Sequence, residues 1–534
     1  MTPNGVTAIA GHRNEFATGH AGKQQFTSLL CQVDKHFVKY FSIIVAFASI
    51  LCYNVVRKEK GRKRCLMPAT TSLRHHTRFL PQKRRDVDMT QGSITRHIIS
   101  FALPLLIGNI FQQLYNTVDT WVVGNYVSNE AFSAVGTVGP IINMLIGFFG
   151  GLASGAGVVI SQYYGAHREE EIRRTVHTAI FMTLIMAVVF TAIGIGMTPF
   201  MLRLMNTPDE VMPESTAYLT IYFSGLVGLM LYNMGAGILR AVGDSQRPFY
   251  FLVVCALTNT VLDLLFVLVF HMGVEGVALA TVLSQAISAV LVMLTLIRSR
   301  NCIRFRFQEL RADWSLLKKI FYVGIPAAIQ MAITSFSNIF VQSYINYFGA
   351  DCMSGWTAYS KIDQLLFLPM QSIALASTTF VGQNLGSNQI ERARKGARQS
   401  LLLSIAATLI MMIPVLCFAP SIVSFFNSKQ EVVEYGSLML YWLSPFYVLC
   451  CFNQVYSGAL RGAGNSKAPM VIMLFSFVLF RQVYLFLMAR ICNEIIPIAM
   501  GYPAGWFLCS ALTTIYYHKV QLGKDRLVDD RKPA

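Results

Sequence analysis

Runs of about twenty apolar residues, the length that carries a helix across a bilayer, recur along this chain and leave few folds open to it. They fall at 97–125, 135–164, 174–199, 215–239, 248–270 and 276–298, then at 318–347, 354–384, 398–418, 435–459, 469–490 and 495–517. Hydrocarbon offers the backbone no hydrogen-bond partner, so each run must satisfy its own amides, which a helix does. A membrane barrel would need segments of about ten residues alternating in polarity, and these runs do not alternate. Only 13% of the 534 residues are charged, against roughly 25% in soluble domains. The expected fold is all-α and integral to the membrane, with twelve transmembrane helices in two six-helix bundles.

The net charge of +17 would suit a nucleic-acid surface if it were clustered on one face. Outside the first 88 residues, however, all Lys and Arg but Lys361 and Arg481 sit in the connections between the runs, at their edges or in the tail. With a cytoplasmic start, twenty-four of them from Arg96 to Lys532 fall on that side, and only Arg203, Lys429 and Arg490 on the other. This bias puts both termini inside and makes the lipid bilayer the partner, not nucleic acid. The 11 cysteines show no CxxC or other metal-ligand spacing, and several, such as Cys450 and Cys451, read as small buried hydrophobes.

Residues 1–88 differ from the rest, with 15 Lys and Arg against five acids. Phe41 to Val56 is apolar but short for a span, and with Arg57-Lys58 behind it resembles a signal anchor. The preferred alternative is that translation starts at Met89. Most of this basic extension is expected to lack order. The organisation that follows is a six-helix lobe at 89–298, a cytoplasmic linker at 299–317, a second lobe at 318–517 and a cytoplasmic tail at 518–534.

The two sets of six runs repeat one another. LRAVGDSQRP, from Leu239, returns as LRGAGNSKAP from Leu460, an offset of 221 residues that also relates Gln162 to Gln383 and Gly165 to Gly386. Pro104 in ALPLL returns as Pro326 in GIPAA. An even number of spans per copy gives both the same orientation, related by an axis along the membrane normal. Paired bundles of this kind hold substrate between the halves and work by alternating access.

Charges inside spans are costly, at least about 2.5–3.5 kcal/mol at the bilayer centre, so the exceptions carry information. Asn109, Gln112, Gln113, Asn116 and Asp119 recur at helical spacing on one face of the first span. On the fifth span Asn259 and Asp263 stand one turn apart. Asp119 lies fifteen residues beyond Pro104, and Asp263 fifteen beyond Pro248. At a rise of about 1.5 Å per residue both reach roughly 22 Å along their helices. Thr281, on a sixth span entering from the opposite side, arrives at a similar level. Two carboxylates, an amide and a hydroxyl at one depth suit a hard monovalent cation or a shared proton.

The second half is chemically different. Val341 takes the place of Asp119 within an uncharged stripe of Gln330, Thr334, Asn338 and Gln342, while Phe480 and Tyr484 replace Asn259 and Asp263. The ion site is therefore expected to be single and amino-terminal. Lys361, Asp363 and Arg481 also lie within spans, where structural pairing and contact with cargo are both open to them.

The stretch MTQGSITRHIISFALPLLIGNIFQQLYNTVDTWVVGNYV, the tandem LRAVGDS and LRGAGNS loops, and NTVLDLLFV followed by ALATVLSQ closely resemble multidrug and toxic compound extrusion (MATE) transporters, above all their DinF-like bacterial branch. The resemblance runs from about residue 89 to 517. It implies a cation site of Asp119, Asn259, Asp263 and Thr281 and a kinking proline at Pro104, with Pro326 its copy. It also implies export of organic cations and amphipathic drugs in exchange for H+ or Na+, across a bacterial inner membrane. Candidate cavity residues are Asn109, Gln112, Gln113, Asn116, Gln330, Thr334, Asn338, Asp363 and Arg481. No Walker motif supplies ATP, no cofactor or metal beyond Na+ is called for, and two six-span halves make a monomer sufficient. A flippase for lipid-linked sugars is the alternative, disfavoured because the first-half cavity is acidic. A receptor or intramembrane enzyme would need neither the repeat nor these acids, and no His/Glu pair or Ser/Lys dyad faces across the spans.

Overall fold

A computed structural model of the chain describes residues 87–205 and 207–528. The expected extension at 1–88 lies outside them except for its last two residues, as does the end of the tail, 529–534. The first lobe comprises α1 (Ile94–Tyr126), α2 (Asn129–Gly165), α3 (Glu169–Leu204), α4 (Met212–Ser224 with Leu226–Ala241), α5 (Gln246–Val269) and α6 (Gly273–Arg298). The second comprises α7 (Trp314–Asn346), α8 (Ala350–Gly386), α9 (Ile390–Cys417), α10 (Gln430–Gly462), α11 (Lys467–Ile491) and α12 (Ile495–Lys519).

Ten of these are long and apolar enough to cross a membrane, and the two halves of α4 together make an eleventh. The remaining one, α7, is 33 residues long and carries the polar stripe of Gln330, Thr334 and Asn338. The twelve segments match the twelve apolar runs in order, with three departures from straight helices. α4 bends by 48° at Gly225, where the backbone presses on Val282 so closely that a Cβ would lie 2.2 Å from its Cγ1. α5 closes in a π-helical turn, Leu265–Val269, and α11 has one in its middle, Leu474–Phe480. Such turns insert a residue into the helical ladder and cluster at functional sites; the first begins two residues after Asp263.

Pro104 and Pro326 lie inside α1 and α7, which continue through them. α2 packs across the lobe boundary on α7, and α8 packs on α1 in the reciprocal arrangement. Glycines measure how closely the first pair approaches. A Cβ at Gly139 would meet nothing within 4 Å, at Gly147 it would lie 3.3 Å from Met331, and at Gly151 and Gly155 it would fall 2.4–2.5 Å from backbone atoms of Ala328 and Gly324. Gly165, at the far end of α2, abuts the backbone of Gln383 on α8. The lobes thus part near the start of α2 and meet at its end, the end that carries both described chain termini.

The linker is an ordered part of this closed end. Asp313 caps α7 through Ser315 and Leu316 and pairs with Arg174. The backbone N–H of Arg306 donates to Nε2 of buried His177 (3.0 Å) and that of Asp313 to Thr178 (3.1 Å), binding the connection to the start of α3.

Candidate functional site

Asp119, Asn259, Asp263 and Thr281 come together between α1, α5 and α6. Asn259 and Asp263 are fully buried at 0% exposure, and Asp119 and Thr281 retain only 8% and 7%. Nδ2 of Asn259 is 3.5 Å from the hydroxyl of Thr281, which itself donates to the carbonyl of Val277 (3.0 Å). The two carboxyl groups lie within interacting distance of one another. Oδ1 of Asp119, both oxygens of Asp263 and Oδ1 of Asn259 are buried without a hydrogen-bond donor among the described residues. Buried acceptors left in this state cost several kcal/mol each, so four of them together form a set that calls for a positive guest. A proton shared between the carboxylates, or a small cation held by all four oxygens, fits the chemistry of the set.

Sequence reasoning missed Tyr218. It reaches the site from α4, packs against Thr281 and lies close to both acids. Its signal was faint, since a tyrosine in an apolar run reads as packing.

The polar stripe of α1 does not act as one surface. Nδ2 of Asn109 reaches Ser372 (3.5 Å) and Nε2 of Gln113 donates to Gln364 (3.1 Å), both on α8 of the other lobe. Gln112 is half-buried and Asn116 exposed in the parted end, while Asp119 turns into its own lobe. Helical periodicity gathers these residues on one side, but that side spans the seam between lobes.

The second lobe carries its own polar centre. Tyr447 donates to Oδ1 of Asp363 (2.5 Å), with Tyr359 alongside (3.4 Å) and Trp356 and Trp506 packed at a tilt against the two tyrosines. Arg481, 2% exposed, donates instead to Ser337 and to Asn338 (3.0 Å) and lies over the ring of Tyr502 at 4.8 Å. Asp363 and Arg481 are therefore engaged with different partners, and Lys361 is exposed. Gln330 contacts the sulfur of Met473, and Thr334 donates to the carbonyl of Gln330 within α7 (2.9 Å). Val341, in the repeat position of Asp119, is fully buried. No group of three metal-ligating side chains occurs among the described residues.

Two six-helix lobes of one design, a seam closed at one end, and a buried acidic cluster in one lobe define a membrane transporter built by duplication. The MatE family model matches the chain twice, at residues 104–265 and 326–487, and the chain belongs to this family of multidrug efflux transporters, whose members are not enzymes and need no cofactor. It is 30% identical over 441 residues to the probable multidrug resistance protein YoeA of Bacillus subtilis, covering 81% of this chain and 95% of that one. It is 26% identical to the probable multidrug resistance protein NorM of Thermotoga maritima, over 74% of this chain and 86% of the relative. A solved outward-facing multidrug resistance MATE transporter superposes with a TM-score of 0.77 at 22% identity, covering 82% of this chain and 97% of that one. These likenesses give the flippase alternative no support.

Proposed function

We propose that the chain is a secondary active antiporter that exports organic cations and amphipathic drugs by alternating access, driven by inward movement of H+ or Na+ through the first lobe. The observation that carries this reading is the pair Asp119 and Asp263, buried side by side with acceptor oxygens that no described group satisfies. Two adjacent buried carboxylates are unfavourable without a compensating positive charge. Loading a proton or cation relieves that cost and releasing it restores it, so occupancy is coupled to the helices that carry the acids, α1 and α5. Because α1 also touches α8 across the seam, a change at Asp119 has a direct route to the lobe boundary. Asn109, Gln113, Asn116, Asn338 and Asp363 are the side chains we assign to cargo. We place the protein in a bacterial inner membrane like its bacterial relatives, as a monomer because two six-span halves suffice, with both termini cytoplasmic on the twenty-four-to-three distribution of Lys and Arg.

The test uses protein in liposomes under an imposed Na+ gradient and then under an imposed pH gradient, with efflux of a fluorescent organic cation as the readout. Wild type should respond to at least one gradient, while Asp119→Asn and Asp263→Asn should lose gradient-driven efflux and keep normal insertion. Wild-type rates in either variant would overturn the assignment.

A further inference from the structure

The closed end of the seam is held by a symmetric device built from two glutamines and the two ends of the chain. Gln162 at the end of α2 and Gln383 at the end of α8 occupy repeat positions, and both are fully buried. Nε2 of Gln162 donates to the carbonyl of Gly462 in the other lobe (2.9 Å), and Nε2 of Gln383 donates to the carbonyl of Ala241 (2.9 Å). Each amide oxygen then accepts a backbone N–H from the segment flanking a lobe. Oε1 of Gln383 accepts from Met89 (3.0 Å), just before α1, and Oε1 of Gln162 accepts from Leu527 (2.8 Å), just after α12.

Each flanking segment is also seated on its own lobe, at a glycine the repeat supplies. Gly243 and Gly464 both have positive φ, +85° and +95°, in the two tandem loops. A Cβ there would strike the carbonyl oxygen of Val87 (2.4 Å) or of Asp525 (2.5 Å). The glycines of LRAVGDS and LRGAGNS are therefore needed for the approach of these segments as well as for the turn. From those seats the segments reach across the seam. Arg392 of the second lobe donates to the carbonyls of Met89 (3.2 Å) and Gly92 (2.9 Å), while Lys319, at the start of α7 in the second strap's own lobe, steadies that strap by donating to the carbonyl of Leu527 (2.7 Å). Val528 packs in the core of the first lobe.

We infer that Gln162 and Gln383 are the gating residues of this end of the transporter, and that the segments 87–89 and 524–528 are straps whose release accompanies opening to the side that carries the termini. The inference rests on the alternating-access reading. A glutamine side chain suits the post because it donates to one strand of backbone and accepts from another at once. Both bonds of each glutamine span the seam, so the lobes cannot separate while either is intact.

The experiment measures the distance between spin labels on Glu170 and Glu391, exposed residues on the two lobes at the closed end, in full-length protein free of other reactive cysteines and held in lipid nanodiscs. It needs no ion gradient and no cargo, so its failure is distinguishable from failure of the coupling site. Gln162→Ala and Gln383→Ala should each enlarge the long-distance population by about two- to tenfold for every seam hydrogen bond removed. Leu527→Pro removes the strap's donor without touching the seam helices and should give a smaller shift in the same direction. Added to Gln162→Ala it should give no further shift, because the bond it removes is already gone. Distance distributions that superimpose on wild type in all three single variants overturn the inference, as does a full extra shift in the combined variant. Should Gln162→Ala fail to fold, Leu527→Pro and Gln383→Ala decide alone.

Discussion

Replacing Gly165 with alanine tests whether closure depends on bare backbone meeting bare backbone. The new Cβ would lie 1.8 Å from the carbonyl oxygen of Gln383 and 2.6 Å from its carbon, whereas real Cβ contacts essentially never fall under 3.0 Å. The opposing atoms are main chain, so no rotamer absorbs the overlap, and the two helix ends must withdraw by about 1.2 Å. Overpacking a fitted contact of this kind costs about 1–3 kcal/mol, which disfavours the closed arrangement by roughly 5- to 150-fold. The reciprocal change, Gly386→Ala, meets Gln162 at 2.0 Å and should act alike. Gly139→Ala is the control: it lies on the same helix as Gly165, yet its Cβ meets nothing within 4 Å. Spin-label distances across the closed end should lengthen in Gly165→Ala and Gly386→Ala and stay unchanged in Gly139→Ala. Identical distributions in all three would refute the view that this contact sets closure.

Further predictions concern other parts of the scaffold. Asp313→Ala removes the cap of α7, whose oxygen accepts from Ser315 (3.0 Å) and Leu316 (3.4 Å), and should cost about 1 kcal/mol in thermal or denaturant unfolding. The Ser315 hydroxyl first, with the Leu316 amide and Arg174 assisting, holds the Asp313 carboxyl below its ordinary range. Its contribution is thus complete above about pH 4 and is lost as pH falls through the lowered value; wild type minus Asp313→Asn, melted across that window, measures it. Arg481→Lys keeps the charge, but a shorter, compact ammonium lacks the guanidinium whose Nη2 reaches Ser337 and Asn338 while its centre sits 4.8 Å from the Tyr502 ring. A lower unfolding midpoint is expected with membrane insertion intact, and an unchanged midpoint would remove the structural role given to Arg481. Tyr218→Phe should weaken ion-driven efflux while leaving cation-independent drug binding intact, read as separate transport and equilibrium-binding assays.

Much of this was legible in the chain because the membrane imposes simple rules. Span number and order follow from run length, and the shared depth of Asp119 and Asp263 follows from counting residues outward from two prolines, whereas their membership of one site was what the family resemblance implied. The repeat was equally plain, and it even marked Gln162 and Gln383 as equivalents. What it could not disclose was that each amide bonds to the opposite lobe, since contacts between residues 300 and 142 apart leave no periodic trace. The break at Gly225 was hidden for a related reason: a single glycine in an apolar run is compatible with a straight helix, and its close approach to Val282 on another span shows only in three dimensions. The stripe on α1 misled in a milder way, because one helix face here serves two lobes.

The glutamine pair also bears on how such a chain could originate. Its contacts are isologous, Gln162 to Gly462 and Gln383 to Ala241, so each half presents the same patch to the other about a common twofold axis. A half-length ancestor with one glutamine would have formed both bonds by pairing with a second copy of itself. Fusion would then inherit a working seal, leaving one half free to carry Asp119, Asn259 and Asp263 where the other carries Val341, Phe480 and Tyr484.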